Sequence, residues 1–227
     1  MFRTLFFLFL AAPSFAYAEI SAPAARACGV SEAGISASVA ARSVLARFDA
    51  EAAFADRGRG AIRIIEFADY SCPACRALHP RWVAYARANP DVRISVTEYP
   101  IYGRTLVSRA TGNRTLNASR IAIAAAAQGK QLAFHDALMA IPGRVDDRAI
   151  RLAADRAGLD LAAAQRRAEM QVVAAGAEAN LRLASELGFV GTPHVVVEGV
   201  LLSLQRGWTF AQVDCLVRAA RTNARAQ

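Results

Sequence analysis

Two cysteines in the middle of the chain carry the strongest chemical signal. Cys72 and Cys75 are separated by two residues, so their thiols can close a small disulfide ring. A buried strand is predicted before them and a helix after them, which places Cys72 at the helix N-terminus. The unpaired backbone N–H groups and the dipole at that position stabilise a thiolate. The pattern predicts a redox-active pair in which one thiol exchanges with a partner and the second resolves the mixed disulfide.

Two other kinds of chemistry use cysteines at this spacing. A zinc site needs four ligands, commonly two such pairs or one pair with histidines, whereas Cys28 and Cys215 are isolated in the sequence. His79 is the histidine nearest the pair, and we expect it to face solvent; we expect His135 and His194 to be non-catalytic. An inert structural disulfide is the second alternative. We predict redox chemistry, with no metal site and no cofactor beyond the cysteines.

The elements around the pair predict an α/β fold. Residues 61–67 and 92–98 have the pattern of buried strands, and a helix over 73–88 between them completes a right-handed βαβ unit. An alanine-rich helical block follows from 106 to 187, with about four helices and aspartates as N-terminal caps. The strands on either side of this block are too few to fold alone. The pattern therefore predicts a sheet interrupted by a helical insertion.

The two ends of the chain have simpler patterns. Residues 194–204 predict a hairpin around Glu198-Gly199, and Thr209 is the expected cap of a last helix. Before the first strand, apolar residues at helical spacing predict a helix over 35–55. The small residues over 19–34 predict a loose segment ahead of that helix.

Composition and charge narrow the class of protein. The chain has 227 residues, of which 55% are apolar, and a formal net charge of +8. Its basic residues are spread through every segment with acids between them, so we expect a solvated basic surface and no nucleic-acid partner. The one stretch apolar enough for a membrane is short and N-terminal, which excludes a polytopic membrane protein.

Residues 1–18 have the pattern of a cleaved secretory signal peptide. Arg3 gives a positive start, residues 5–12 form an apolar core too short to span a bilayer, and Ala16-Tyr17-Ala18 is an A-x-A cleavage site. The pattern predicts export to the periplasm. That compartment is oxidising, so cysteines there are expected to form disulfides.

Cys28 and Cys215 lie outside the central pair. Four cysteines in an exported chain suggest a second disulfide, which would join the N-terminal arm at 19–60 to the last helix. Two free thiols, or a Cys28 that links two chains, are the alternatives. The apolar stripe of the predicted helix over 35–55 is too short to decide whether the arm also makes an oligomer.

Residues 66–75, Glu-Phe-Ala-Asp-Tyr-Ser-Cys-Pro-Ala-Cys, resemble the active-site segment of the DsbA-like branch of the thioredoxin superfamily. Pro80 and the segment 190–193, Val-Gly-Thr-Pro, match two further positions of that family. The resemblance implies a thioredoxin-like fold over 61–222. It also implies that the block at about 105–187 is an inserted all-helical subdomain.

The resemblance implies a role for each residue of the motif. Cys72 would be the nucleophile and Cys75 the resolving thiol, with Pro73 and Ala74 forming the loop between them. Glu66 would be a buried acid whose raised pKa suits it to relay the proton of Cys75.

The segment that contains Pro193 would face the disulfide. Pro193 would follow a cis peptide bond, which is a minority state that argues for a role. The backbone of Thr192 would then pair with an extended client protein, as an added strand does.

These roles imply an exported thiol:disulfide oxidoreductase that acts on cysteine-containing clients, with dithiol oxidation as the expected direction. A membrane redox partner, either a quinone-linked oxidase or a reductase, would restore the pair. The Pro-Ala dipeptide between the cysteines lacks a histidine that would stabilise the thiolate. A threonine before the proline, as at Thr192, is also found in isomerase and reductase relatives. A disulfide isomerase or reductase is therefore the first alternative. A non-catalytic chaperone-like module, with both cysteines buried, is the second.

Overall fold

The computed structural model describes residues 20–49, 51–101, 109–202 and 207–226. The predicted signal peptide at 1–18 lies outside these ranges. Among the described residues, none of the helices combines the length and apolar character needed to cross a membrane.

Five described strands form one mixed sheet. They are β1 (Phe54–Arg57), β2 (Ile62–Ala68), β3 (Val92–Glu98), β4 (His194–Val197) and β5 (Val200–Leu202). Their spatial order is β1-β3-β2-β4-β5, and β2 and β3 are parallel while the other neighbouring pairs are antiparallel. A parallel pair needs a long crossover, and here the crossover is the helix predicted between the two strands.

The helices cover the sheet or form the insertion. The described ones are α1 (Ala22–Ala27), α2 (Glu32–Phe48), α3 (Pro73–Ala88), α4 (Arg109–Ala125), α5 (Gln131–Ala140), α6 (Asp147–Ala157), α7 (Leu161–Ala168), α8 (Gln171–Glu186) and α9 (Phe210–Ala226). Five of them, α4 to α8, follow β3 and precede β4, where the sequence predicted about four. The expectation of a thioredoxin-like fold with an inserted helical subdomain is confirmed.

The predicted caps of the insertion are confirmed. Asp146 accepts a hydrogen bond from the N–H of Ala149 at 2.8 Å, and Asp160 accepts one from the N–H of Ala163 at 2.9 Å. Both carboxylates satisfy backbone donors that have no partner within the helix. Thr209 does the same for α9, since its hydroxyl accepts from the N–H of Gln212 at 3.3 Å.

Strand β2 is the centre of the core because both of its faces are covered. All seven of its residues are buried. Ile64 packs in a cluster with Trp82 of α3, whereas Phe67 packs on the opposite side with Leu45 of α2 and Phe189. A strand buried on both faces has a nearly continuous apolar sequence, and an acid within it is therefore exceptional.

The hairpin between β4 and β5 turns at the predicted dipeptide. Glu198 and Gly199 have φ angles of 46° and 77°, which is the left-handed conformation that a two-residue hairpin requires. The Glu198 carboxylate accepts from the backbone N–H of Arg63 in β2, so the turn is also fixed by its side chain. Residues 203 and 204 of the predicted hairpin lie outside the described ranges.

The N-terminal arm differs from its prediction. The segment 19–34 is not loose where it is described: it contains α1, and Ile20 is 1% exposed. The helix predicted over 35–55 ends earlier, at Phe48, and β1 follows it. Alanine-rich spacing favoured a helix, but pairing with β3 gives this segment tertiary hydrogen bonds that local propensity does not report.

Two contacts hold the arm against the rest of the chain. Cys28 and Cys215 form a disulfide with an S–S distance of 2.06 Å between the arm and α9. The hydroxyl of Ser38 in α2 accepts a hydrogen bond from the backbone N–H of Leu201 in β5 at 3.0 Å. The predicted second disulfide is therefore present, and the two alternatives for these cysteines are not realised in the structure.

Replacement of Cys28 and Cys215 by alanine should lower the free energy of unfolding by about 4 kcal/mol, because the cross-link closes a loop of most of the chain in the unfolded state. Urea unfolding of the oxidised protein measures this. As a control, in a Cys72→Ser/Cys75→Ser background that has no redox-active pair, a reductant strong enough to open the Cys28–Cys215 disulfide should destabilise the chain that contains it and leave the chain without it unchanged. Equal stabilities of the two oxidised proteins would contradict the prediction.

Candidate active site

Cys72 is the N-cap residue of α3, at the junction of strand and helix that the sequence predicted. β2 ends at Ala68 and α3 begins at Pro73. The backbone N–H of Cys75 donates to the Sγ of Cys72 at 3.4 Å. Since the first N–H groups of a helix have no acceptor within it, the sulfur fills that role and is itself stabilised as an anion.

The two cysteines are free thiols of opposite acidity. Hydrogen bonding from the Cys75 thiol, assisted by the backbone N–H groups of Cys75 and Ala74, lowers the pKa of Cys72 to about 5. Burial, the bond to Cys72 and the negative charges of Cys72 and Glu66 raise the pKa of Cys75. At neutral pH the pair therefore holds a thiolate on Cys72 and a thiol on Cys75.

The cysteines are buried while the loop between them is exposed. Cys72 is 2% exposed and Cys75 is inaccessible, whereas Pro73 and Ala74 lie at the surface. An approaching protein therefore contacts the exposed loop before it contacts either sulfur. Burial of both cysteines is also what the non-catalytic alternative predicts.

The loop before β4 lies directly against Cys72. The Thr192–Pro193 peptide bond is cis, as predicted. The backbone oxygen of Thr192 lies 3.3 Å from the Sγ of Cys72 and accepts a hydrogen bond from this thiol when it is protonated. Val190, two residues earlier, is 63% exposed, so an apolar surface adjoins this loop. The structure therefore brings the two distant parts of the predicted site together.

Glu66 lies within β2 and is 2% exposed, so it is the buried acid that the sequence predicted. Burial raises the pKa of its carboxyl to about 7, although the positive charges of His135 and Arg57 oppose that rise. Its charge in turn raises the pKa of Cys75. An acid that is half-ionised near neutral pH, beside a thiol that must lose and regain a proton, has the properties of a proton relay.

A second buried acid, Glu98 at the end of β3, was not predicted. The hydroxyl of Tyr70 donates to its Oε1 at 2.6 Å, and the Nδ1 of His135 lies 3.0 Å from the same oxygen. Glu98, Tyr70 and His135 are each at most 1% exposed. The hydrogen bond and charge of Glu98 raise the pKa of His135 against the effect of burial.

His79 does not face solvent, and that expectation is wrong. It is 6% exposed, and its Nε2 lies 3.6 Å from the Oδ1 of Asp136. Arg57 of β1 donates to both oxygens of the same carboxylate. Burial, together with the charges of His135 and Arg57, lowers the pKa of His79 to about 4. Helix α5 of the insertion covers the face of α3 that carries His79. Strand β1, which was not predicted from the sequence, supplies Arg57 on the same side, and together these elements bury the histidine.

The residues that sequence reasoning missed share one location. In the parallel pair, Ala68 of β2 is level with Glu98 of β3, so Tyr70, just beyond β2, reaches the end of the neighbouring strand. Parallel strands end at the same edge of a sheet, and polar residues there are a usable signal. His135 and Asp136 come from the insertion and have no such signal in the sequence.

Two predicted residues lie apart from the reactive sulfurs. Cys28 packs in the core cluster below α9, whereas Cys72 and Cys75 belong to the cluster shared with the insertion. His194 is 1% exposed and its ring stacks on Phe189 at 3.9 Å. Among the described residues the ring nitrogens of His194 have no hydrogen-bond partner, and the Cys28–Cys215 disulfide lies in a different core cluster from the pair.

The fold, the helix-capping cysteine and the adjoining cis-proline loop define a thioredoxin-type redox protein. The family described as "DSBA-like thioredoxin domain" matches residues 63–216. The chain belongs to this family, and it is accordingly a thiol–disulfide oxidoreductase of the DsbA-like type. Among curated proteins, none matches the chain.

Solved structures give the same fold. A thioredoxin-like oxidoreductase from Silicibacter pomeroyi DSS-3 is 34% identical, with a TM-score of 0.67 over 80% of this chain and 98% of that one. The catalytic domain of Proteus mirabilis ScsC is 21% identical, with a TM-score of 0.62 over 79% and 97% of the two chains. The thiol-disulfide exchange protein alpha-DsbA2 from Wolbachia pipientis is 18% identical, with a TM-score of 0.60 over 73% and 89%.

The hydrogen bond from Cys75 predicts how Cys72 responds to substitution. Cys75→Ala removes the thiol donor, so the pKa of Cys72 should rise from about 5 by roughly one unit or more. Cys75→Ser keeps a donor and is the matched control, with a smaller rise expected. Titration of the thiolate ultraviolet absorbance measures both, since Cys28 and Cys215 are in a disulfide. Equal titration midpoints for the two variants would refute the assignment of this donor.

Burial of Glu66 predicts a dependence of stability on pH. Its folded pKa of about 7 lies above the ordinary 4.5, so its ionisation destabilises the fold as the pH rises through that interval. Glu66→Gln should therefore stabilise the oxidised protein at about pH 8, by on the order of 3 kcal/mol, and have little effect at about pH 4.

Urea unfolding at the two pH values checks this prediction. Glu169→Gln, at an exposed acid, is the control and should leave the pH dependence of the wild-type protein unchanged. A Glu66→Gln protein whose stability follows the wild-type pH dependence throughout would contradict the prediction.

Proposed function

We propose that the chain is an exported dithiol oxidase that introduces disulfides into client proteins through Cys72 and Cys75. The observation that carries the proposal is the low pKa of Cys72, set by donors at the N-terminus of α3. A thiolate stabilised at neutral pH favours the reduced pair, and this makes the corresponding disulfide a strong oxidant.

The reaction begins with the Cys72–Cys75 disulfide. A client thiolate attacks the Sγ of Cys72, the bond between the two cysteines breaks, and Cys75 leaves with the electron pair. Because the pKa of Cys75 is raised, the leaving sulfur takes up a proton, and the protonated carboxyl of Glu66 is the group placed to supply it. The product is a mixed disulfide between Cys72 and the client.

A second client thiolate then attacks the client sulfur of the mixed disulfide. Cys72 departs as a thiolate, and its low pKa makes it a good leaving group. The client gains a disulfide and the pair gains two electrons. We propose that a membrane redox partner of the quinone-linked type accepts those electrons and restores the disulfide.

The contacts of Thr192 and Pro193 support their role in holding the client. The backbone oxygen of Thr192 lies beside the Cys72 sulfur, and the exposed Val190 lies two residues away. An extended client that pairs with this backbone would bring its own sulfur to Cys72. The exposed positions of Pro73 and Ala74 suit a loop that faces the client.

Export to the periplasm is part of the proposal. It is supported by the pattern of residues 1–18 and by likeness to a periplasmic thioredoxin-like protein from Salmonella enterica serovar Typhimurium, which is 22% identical with a TM-score of 0.59. We also propose 61–222 as the catalytic domain, although β1 adds a strand to its sheet from the arm at 19–60.

The reduction potential of the pair tests the direction of electron flow. We expect a value near that of strong dithiol oxidants, about −120 mV, when the protein is equilibrated in glutathione buffers. The Cys28→Ala/Cys215→Ala variant isolates the pair. A potential near −200 mV or below would favour the isomerase or reductase alternative instead.

Oxidation of a reduced model client tests catalysis itself. Cys72→Ser should abolish it, and Glu66→Gln should slow it by roughly a hundredfold or more and remove the dependence on a group that titrates near pH 7. Glu66→Asp, which keeps a carboxyl, is the matched control. Full activity of Cys72→Ser, or a pair that resists reduction because it is buried, would support the non-catalytic module.

A further inference from the structure

A cluster of three potential metal ligands lies between α3 and α5, outside the reactive pair. His79 comes from α3, and His135 and Asp136 come from α5. One ligand-type atom from each residue lies within 4.8 Å of the other two. The Nε2 of His79 and the Oδ1 of Asp136 are 3.6 Å apart, which is close to the separation of about 3.3 Å between ligands around zinc.

His135 has the hydrogen bonding of a metal ligand. Its Nδ1 faces Glu98 at 3.0 Å, an arrangement in which a carboxylate fixes the ring and its tautomer. Its Nε2 is fully buried and has no hydrogen-bond partner among the described residues. A buried polar nitrogen without a partner is costly, and a bound cation would satisfy it.

The local charge suits a divalent cation. The cluster contains the carboxylate of Asp136, and a second carboxylate, Glu98, contacts His135. Arg57 is a cation that contacts Asp136. Arg57 donates to both oxygens of Asp136, but an ionised carboxylate has about four lone-pair directions and can serve an arginine and a metal together. The Asp136 side chain is 34% exposed and gives an ion a route from solvent.

We propose that His79, His135 and Asp136 form a binding site for a divalent transition-metal ion of the zinc type. Two imidazoles and a carboxylate match the ligands that Zn²⁺ prefers, and three protein ligands leave one position for water. The ion would join α3, which carries the reactive cysteines, to α5 of the helical insertion. No local sequence pattern indicates this site, because its ligands are 56 residues apart in the chain, from His79 to His135.

Zinc binding by the oxidised protein tests the proposal, because the Cys72–Cys75 disulfide removes the competing thiols. We expect one Zn²⁺ per chain by calorimetry and elemental analysis, and a higher unfolding temperature when zinc is present. His79→Gln and Asp136→Asn should each weaken binding by about tenfold or more and remove the rise in unfolding temperature. Asp155→Asn, at an exposed acid of α6, is the matched control and should bind as the wild type does.

The environment of the ion gives a second measurement. Co²⁺ bound to the oxidised chain should show a spectrum of nitrogen and oxygen ligands without thiolate charge transfer, and Cys72→Ser/Cys75→Ser should not change it. Circular dichroism verifies that each variant is folded. Absence of stoichiometric zinc in the oxidised wild-type protein, or equal affinity in folded His79→Gln and Asp136→Asn proteins, would overturn the proposal.

Discussion

The stabilisation of the Cys72 sulfur at the start of α3 is the interaction on which the rest of the site depends. The sulfur caps the helix, accepts from the Cys75 backbone and lies beside the Thr192 oxygen. Hydrogen bonds from the Cys75 thiol and from the backbone N–H groups of Cys75 and Ala74 make Cys72 acidic, while burial and the nearby negative charge make Cys75 a weak acid. The chemical difference between two identical side chains therefore comes from where the strand ends and the helix begins.

Burying polar groups next to this pair is costly, and the fold accommodates it in two ways. Glu98 is satisfied by Tyr70 and His135, so its burial is compensated by hydrogen bonds. For Glu66, burial outweighs the hydrogen bonding from Trp82, and the pKa of its carboxyl rises instead. Glu98 thus connects the sheet to the insertion through hydrogen bonds, and Glu66 remains available to exchange a proton.

The insertion and the N-terminal arm both supply side chains and secondary-structure elements that the domain core uses. Helix α5 supplies His135 and Asp136, and β1 supplies Arg57, so two separate segments meet over α3. The arm is held by the Cys28–Cys215 disulfide and adds an edge strand to the sheet. Covering α3 in this way excludes water from the side of the pair that faces the insertion, and this strengthens every electrostatic effect there.

The sequence by itself determined the βαβ unit, the helical insertion, the hairpin and the reactive cysteines. Each of these follows from a local pattern: strand periodicity, a helix cap, a turn dipeptide, or the spacing of two cysteines. The cis proline and the buried acid were expected from the resemblance to the DsbA-like family. Only the tertiary structure decided that the segment after α2 is strand β1, because its hydrogen bonds go to β3. It also decided that His79 is buried and that Glu98, Tyr70 and His135 meet, since packing between residues far apart in the chain leaves no periodic trace in the sequence.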